Sequence, residues 1–156
     1  MKQSAGILMF RIRSNQPEVL LAHPGGPFWK KKDAGAWSIP KGEYKEDEEP
    51  LVAAIREFWE ETGLKVDGEF IELTPVKQKS GKIVRAWAVA GNPDVSGFGS
   101  NNFSMEWPPK SGKMVEFPEV DRWEWFGVEE AREKILEGQV GLVDELVLKL
   151  QNQTLH

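Results

Sequence analysis

Apolar and polar residues alternate along this chain with two different periods. Residues 4–13 and 17–23 are rich in apolar side chains, and the polar turn Ser14, Asn15 and Gln16 between them predicts two adjacent strands. A Gly-, Pro- and Lys-rich loop over 24–35 leads to a short extended piece, Trp37, Ser38 and Ile39, closed by Pro40. The period then changes. Leu51, Ala54, Ile55 and Phe58 fall at i, i+3, i+4 and i+7, the single apolar stripe of a helix over 50–62. Pro50 suits its first turn, Asp47, Glu48 and Glu49 complement its N-terminus, and Gly63 marks its end.

Residues 70–78 and 83–89 alternate again as strands, with Ser80 and Gly81 as their turn. The stretch 91–112 is rich in Gly, Ser, Asn and Pro, and a loop of that length is usually functional or partly disordered. Phe103, Met105 and Trp107 alternate inside it and allow a short strand. Residues 122–126 read as the last strand, and 129–136 and 142–150 as two closing helices. Strands mixed with three helices predict an α/β sheet covered on both faces. No repeat or linker divides the chain, so 1–156 is expected to form one domain.

Composition narrows this picture. A chain of 156 residues suits one domain with a proper core. The absence of cysteine excludes disulfides, thiolate metal sites and a cysteine nucleophile. The apolar run before Arg11 is too short for a signal peptide or a membrane span, which predicts a cytoplasmic protein with no membrane partner. The net charge of −5 is unevenly placed: residues 42–64 hold eight acids against Lys45 and Arg56, a local charge of −6. One acidic segment raises the question of a cation. No basic stripe for DNA is evident, and the oligomeric state stays open.

On the 50–62 helix, Glu57, Glu60 and Glu61 lie within an arc of roughly 100°, opposite the apolar stripe. Like charges at these spacings destabilise a helix. A Glu-rich face is ordinarily solvated, but a hard divalent cation such as Mg²⁺ also offsets the repulsion. Two features favour the cation. Arg56 adjoins Glu57 directly, and a glycine-bearing loop, Pro40, Lys41 and Gly42, enters the helix from a strand.

The segment GEYKEDEEPLVAAIREFWEETGL resembles the Nudix box, G-x5-E-x7-REUxEExGU with U aliphatic. Gly42, Glu48, Arg56, Glu57, Glu60, Glu61 and Gly63 match its fixed positions, and Leu64 fills the last aliphatic one. Phe58 stands where Ile, Leu or Val is usual; that position faces the core, so the change is one of packing. The preceding Trp37, Pro40 and Gly42 are similar to the W-x-x-P-x-G entry of members acting on dinucleoside polyphosphates and RNA 5′-ends. The segment PEVDRWEW at 118–125 resembles the late segment of the same branch.

The resemblance implies an α/β/α sandwich around a mixed sheet and a Mg²⁺- or Mn²⁺-dependent phosphoanhydride hydrolase. It assigns the metal to Glu57, Glu60 and Glu61, with the Gly42 carbonyl as a further ligand, and gives Arg56 the orienting of Glu57. Glu48 is expected to organise the loop and helix N-terminus. Glu119 is the candidate for the general base or another metal ligand, with Glu116 its competitor. Lys41, Arg85 and the run Lys30, Lys31 and Lys32 are candidates for phosphate contacts. Trp29, Trp37 and Trp107 are candidates for stacking on a base. His23 and His156 show no partner in the sequence and read as structural or disordered.

The box specifies the reaction and leaves the substrate to the loops. Motifs for coenzyme A and NADH substrates are missing. The proline of the ADP-ribose branch is displaced to Pro75, and Tyr44 is the only tyrosine. A dinucleoside polyphosphate such as Ap4A, or an NTP, is the favoured small-molecule partner. The alternatives are an RNA 5′-end, ADP-ribose or a nucleotide sugar, and a non-catalytic nucleotide-binding module that retains every box glutamate.

Overall fold

A computed structural model describes residues 3–99 and 101–154, so His156 lies outside the described residues. Strand β1 (Gln3–Arg13) is the spine of the molecule. It pairs antiparallel with β2 (Gln16–Pro24) through a two-residue turn in which Ser14 and Asn15 both take positive φ, 50° and 65°. That turn twists with its strands, which favours the hairpin. On its other side β1 runs parallel to β6 (Ile83–Ala90) over eight register pairs, from Gln3 with Ile83 to Phe10 with Ala90. β3 (Lys41–Glu43) also pairs with β1, setting Gly42 opposite Ala5. β9 (Val120–Gly127) closes the far edge against β2.

The apolar run of β1 is explained by burial on both faces. Leu8 and Phe10 join Val19, Leu21, Ala131, Leu142 and Leu146 in one core, beneath helices α2 (Val128–Lys134) and α3 (Val140–Thr154). Ile7 and Met9 join Leu20, Ala53, Ala54 and Phe58 in the other, beneath α1 (Pro50–Thr62). The result is the α/β/α sandwich around a mixed sheet that the sequence predicts. Helix α1 has the predicted bounds and ends on Gly63, whose φ is 77°. Only glycine takes that conformation without strain, and the Gly63 N–H caps the helix by donating to the Trp59 carbonyl. Gly63→Ala is expected to lower stability by about 1 kcal/mol in chemical denaturation, since the added Cβ opposes this backbone.

Two expectations are corrected. The strand expected over 70–78 is broken into β4 (Ile71–Glu72) and β5 (Val76–Lys77), both paired with β6. The cause lies between them: the Thr74 N–H donates to Glu145 of α3 at 2.7 Å, and Pro75 has no N–H to give. The 91–112 stretch does contain the short strand, β7 (Asn102–Glu106), but its partner β8 (Met114–Pro118) goes unpredicted. The two form a separate two-stranded sheet beside the main one.

Candidate active site

Helix α1 lies on the sheet through Ala53 and Ala54, side chains small enough to bring helix and strand close. That approach brings Glu57 onto β3. A Cβ on Gly42 would stand 2.1 Å from the Glu57 carboxyl carbon and 2.2 and 2.4 Å from its oxygens. Gly42, expected in a loop but paired as part of β3, is therefore required for room. The space of its missing side chain is filled by a carboxylate.

Arg56 organises the outer side. Its Nε and Nη2 donate to the two oxygens of Glu48 at 2.9 and 3.2 Å, a bidentate pair, while Nη1 donates to Glu57 at 3.0 Å and Glu60 at 3.2 Å. The guanidinium holds the Glu48 carboxyl below the usual carboxylate range and is itself pushed further up by that pair. Glu48 therefore supports the loop and helix by gripping Arg56. Burial raises Glu57 above its ordinary value, even though Arg56 draws it down.

Glu61 points inward. It is 9% exposed, and its Oε2 is buried with no hydrogen-bond partner. Burial, then the neighbouring charges of Glu57 and Glu119, push its carboxyl up to about 8, with Lys41 opposing. Lys41 is lowered in turn, first by burial and then by Lys82, against the pull of Glu61 and Glu43. Glu61, Lys41 and Glu119 line one small cavity of about 130 Å³ with Pro40 and Val120. Residues from three separate parts of the chain thus converge.

An orphaned buried carboxylate oxygen amid like charges fits a hard cation, since an unpartnered buried charge is costly and oxygen donors suit such ions. Among the described residues, no three His, Cys, Asp or Glu side chains form a ready cage. Mg²⁺ does not demand one: one or two carboxylates commonly suffice, with water and substrate phosphates completing its shell.

Glu119, rather than Glu116, reaches this cavity; Glu116 is exposed on β8 opposite Ser104. Glu119 sits at the kink between β8 and β9. Its N–H donates to the Asn101 carbonyl at 2.8 Å, and its own carbonyl accepts from Gly25 at 3.0 Å. Arg85 lies in the same register row as Gly42, across Ala5. It pairs with Glu72 at 3.4 Å and lines a different cavity with Tyr44 and Glu48.

The tryptophans separate. Trp37 is 1% exposed, its indole N–H donates to Asp33 at 2.8 Å, and it packs on His23 and Phe126. It is a core residue, which removes it as a base-stacking surface. Trp29 lines a cavity with Gln78 and Gly138, apart from Glu61. Trp107 stands partly exposed beside the β7–β8 hairpin.

His23 is structural, as the sequence suggests, but its partners and the buried Gln139 escape sequence reasoning. His23 is fully buried, with Nδ1 2.7 Å from Asp121 and Nε2 2.6 Å from the Lys32 carbonyl. Gln139 accepts from the Ile39 N–H at 3.1 Å and donates to Gln78 at 2.9 Å, fixing the turn that presents Lys41. Apart from Lys32, their partners lie far away in sequence, so no local pattern signals them. No described helix is long and apolar enough to cross a membrane.

Comparison with known proteins gives a match to the NUDIX domain model over residues 2–146. The chain is 52% identical over 44 residues to the mRNA-decapping protein g5R of African swine fever virus, 28% of this chain and 17% of that protein. It is 36% identical over 104 residues to the RNA pyrophosphohydrolase of Brucella anthropi, 57% of this chain and 55% of that one. The chain thus spans little more than half the length of these curated relatives, or less. Among solved structures, a binary complex of the Ap4A hydrolase of C. elegans matches with a TM-score of 0.70 and 22% identity, covering 97% of this chain and 99% of that one. The NUDIX domain of Shewanella oneidensis NrtR, complexed with ADP ribose, matches with a TM-score of 0.65 and 15% identity, over 95% and 87% of the two chains.

Proposed function

The chain belongs to the NUDIX domain family, and on that premise we propose that it hydrolyses a phosphoanhydride bond of a nucleotide with a divalent cation, Mg²⁺ or Mn²⁺. The observation that carries this reading is the buried, unpartnered Oε2 of Glu61 beside Glu57, Glu119 and Lys41. Glu57, Glu60 and Glu61 would hold the cation, with the Gly42 carbonyl as a further donor. A cation there supplies charge neutralisation on phosphate oxygens and a more acidic water.

The protein groups then divide the work. Arg56 fixes the carboxylate of Glu57 in one rotamer, and Glu48 fixes Arg56. Lys41, held half-desolvated beside Glu61, meets a phosphate oxygen as the P–O bridge breaks. Glu119 takes the proton of the attacking water, its backbone pinned on both sides and its side chain open to solvent. Arg85, in the same row as Gly42 but two strands away, reaches a more distant phosphate. Trp107 stacks on the base.

A dinucleoside polyphosphate or NTP is the favoured substrate. A second reading, removal of pyrophosphate from an RNA 5′-end, is supported by the 36% identity to an RNA pyrophosphohydrolase. A hydrolysis panel of Ap4A, NTPs, ADP-ribose, nucleotide sugars and 5′-triphosphorylated RNA, with Mg²⁺ and Mn²⁺ compared, decides between them. Turnover of at least one substrate, and only with divalent metal, is expected. A chain that cleaves no phosphoanhydride with either metal is not this enzyme.

A further inference from the structure

Strand β9 does not alternate cleanly. From Gly127 back to Arg122 it follows β2 residue by residue, with Arg122 opposite His23, but Pro24 then lies opposite Val120. Asp121 is the extra residue of a β-bulge. The side chains show the change of phase. Trp123 packs against the core beneath α1, and Arg122 turns to the other face, its guanidinium carbon 5.2 Å from the Trp37 ring centroid. In a regular strand Asp121 would return to the α1 face. Its carboxylate instead reaches His23, which packs edge-on against the same Trp37.

That slip decides what the start of the strand presents. A one-residue change of phase moves the side chains beyond it to the opposite face of a sheet. Past the bulge, Val120 and Glu119 both line the cavity of Glu61 and Lys41. Without it, the alternation that places Trp123 and Trp125 beneath α1 would bring Asp121 there and send Val120 to the far face. The neighbouring backbone is fitted to this geometry. The Gly25 N–H donates to the Glu119 carbonyl at 3.0 Å, and a Cβ on Gly25 would stand 1.9 Å from the Pro118 carbonyl oxygen.

The extra residue of a bulge is left out of the ladder, so another group must hold it. His23 does so from a fully buried position. The Lys32 carbonyl, 2.6 Å from Nε2, can only accept, so that nitrogen carries a proton. Nδ1 meets Asp121 Oδ1 at 2.7 Å through a second proton. Arg122 Nε stands 3.7 Å from the same oxygen, beyond a hydrogen bond. We propose that His23 is a positioning residue: by holding Asp121 in the bulge it sets the phase of β9 and so delivers Glu119 to the cavity of Glu61 and Lys41. Asp121 is the grip through which it acts. The catalytic consequence rests on the hydrolase reading of Glu119, whereas the hold on the bulge is independent of it.

Amide hydrogen exchange, followed by NMR on the full chain without metal, reads the bulge directly. In Asp121→Ala the N–H groups of Glu119 and Gly25, which bond to Asn101 and to Glu119, are expected to exchange at least about tenfold faster. The Ile7 N–H, bonded to the Pro40 carbonyl, should be unchanged and reports an intact fold. Asp121→Asn keeps an acceptor for His23 and should restore the protection. For any substrate cleaved in the panel, Asp121→Ala should lower kcat about 10- to 100-fold, the cost of a displacement near 1 Å, with KM within about twofold. Asp121→Asn should recover most of that loss, and Asp121→Ala added to Glu119→Gln should bring no further one. His23→Phe fills the buried space without a hydrogen bond and should repeat the Asp121→Ala pattern; where it does not fold, the Asp121 variants carry the test. Unchanged exchange at Glu119 and Gly25 in Asp121→Ala overturns the proposal. So does an unchanged kcat, with KM raised if Asp121 is a substrate contact instead. A chain that cleaves nothing yet loses protection at these two amides keeps His23 as the clamp of the bulge and loses the hydrolase.

Discussion

Glu61→Gln is expected to lower turnover at least about 100-fold while leaving the fold intact. Removing a group that merely supports a metal ligand costs about 10- to 100-fold, and Glu61 is proposed as a ligand itself. Gln has the shape of the neutral acid, so it satisfies the packing around a side chain that is 9% exposed but brings no charge. Two measurements check this. Steady-state turnover gives the loss. Thermal melting with and without millimolar Mg²⁺ gives its cause: a ligand that binds only the folded state stabilises it by about 2.7 kcal/mol at 100-fold its Kd. The unaltered chain should show a metal-dependent rise in Tm and the variant should show little. A variant as active as the parent, or one that keeps the full rise, removes Glu61 from the cation.

Gly42→Ala should also cost about 100-fold in turnover, for a different reason. The new methyl would stand 2.1 Å from the Glu57 carboxyl carbon, where ordinary contact is about 3.5–4.0 Å. The carboxylate must therefore retreat by more than an ångström, and a displacement of that order can cost about 10²-fold in an oriented site. Gly42 does not hold a left-handed φ, so alanine brings no backbone strain and stability should change little. If the methyl acts only through Glu57, then Glu57→Gln and Gly42→Ala together should cost no more than Glu57→Gln alone. Additive losses in that cycle would show that Gly42 has a separate role, such as its carbonyl.

What the sequence revealed follows the range of the interactions. Helix α1 was legible to the residue because every signal for it is local: Pro50, the stripe of Leu51, Ala54, Ile55 and Phe58, and Gly63. The hairpin of β1 and β2 was legible for the same reason. The spacing of Glu57, Glu60 and Glu61 alone leaves a solvated face as the ordinary reading, and the inward turn of Glu61 with its unpartnered oxygen is not legible from it. The break at Thr74 and Pro75 depends on Glu145, the anchoring of His23 on Asp121, and the turn at Ile39 on Gln139. Each of these partners lies roughly 70 to 100 positions away, beyond any window of hydrophobic periodicity. Trp37 was misjudged because a tryptophan that fills a core and one that meets a ligand look alike in sequence. β8 was hidden by the Lys, Gly and Pro residues around its short alternation.

The small sheet of β7 and β8 lies outside the ladder that carries Gly42, the helix and Lys41, and its strands pair only with each other. It joins the rest through backbone contacts at Glu119 and the close fit of Gly25 and Gly26. Length changes at the far turn of the hairpin, residues 107–113, would leave that ladder untouched, whereas changes at its base would move Glu119, which is held by Asn101 on one side and Gly25 on the other.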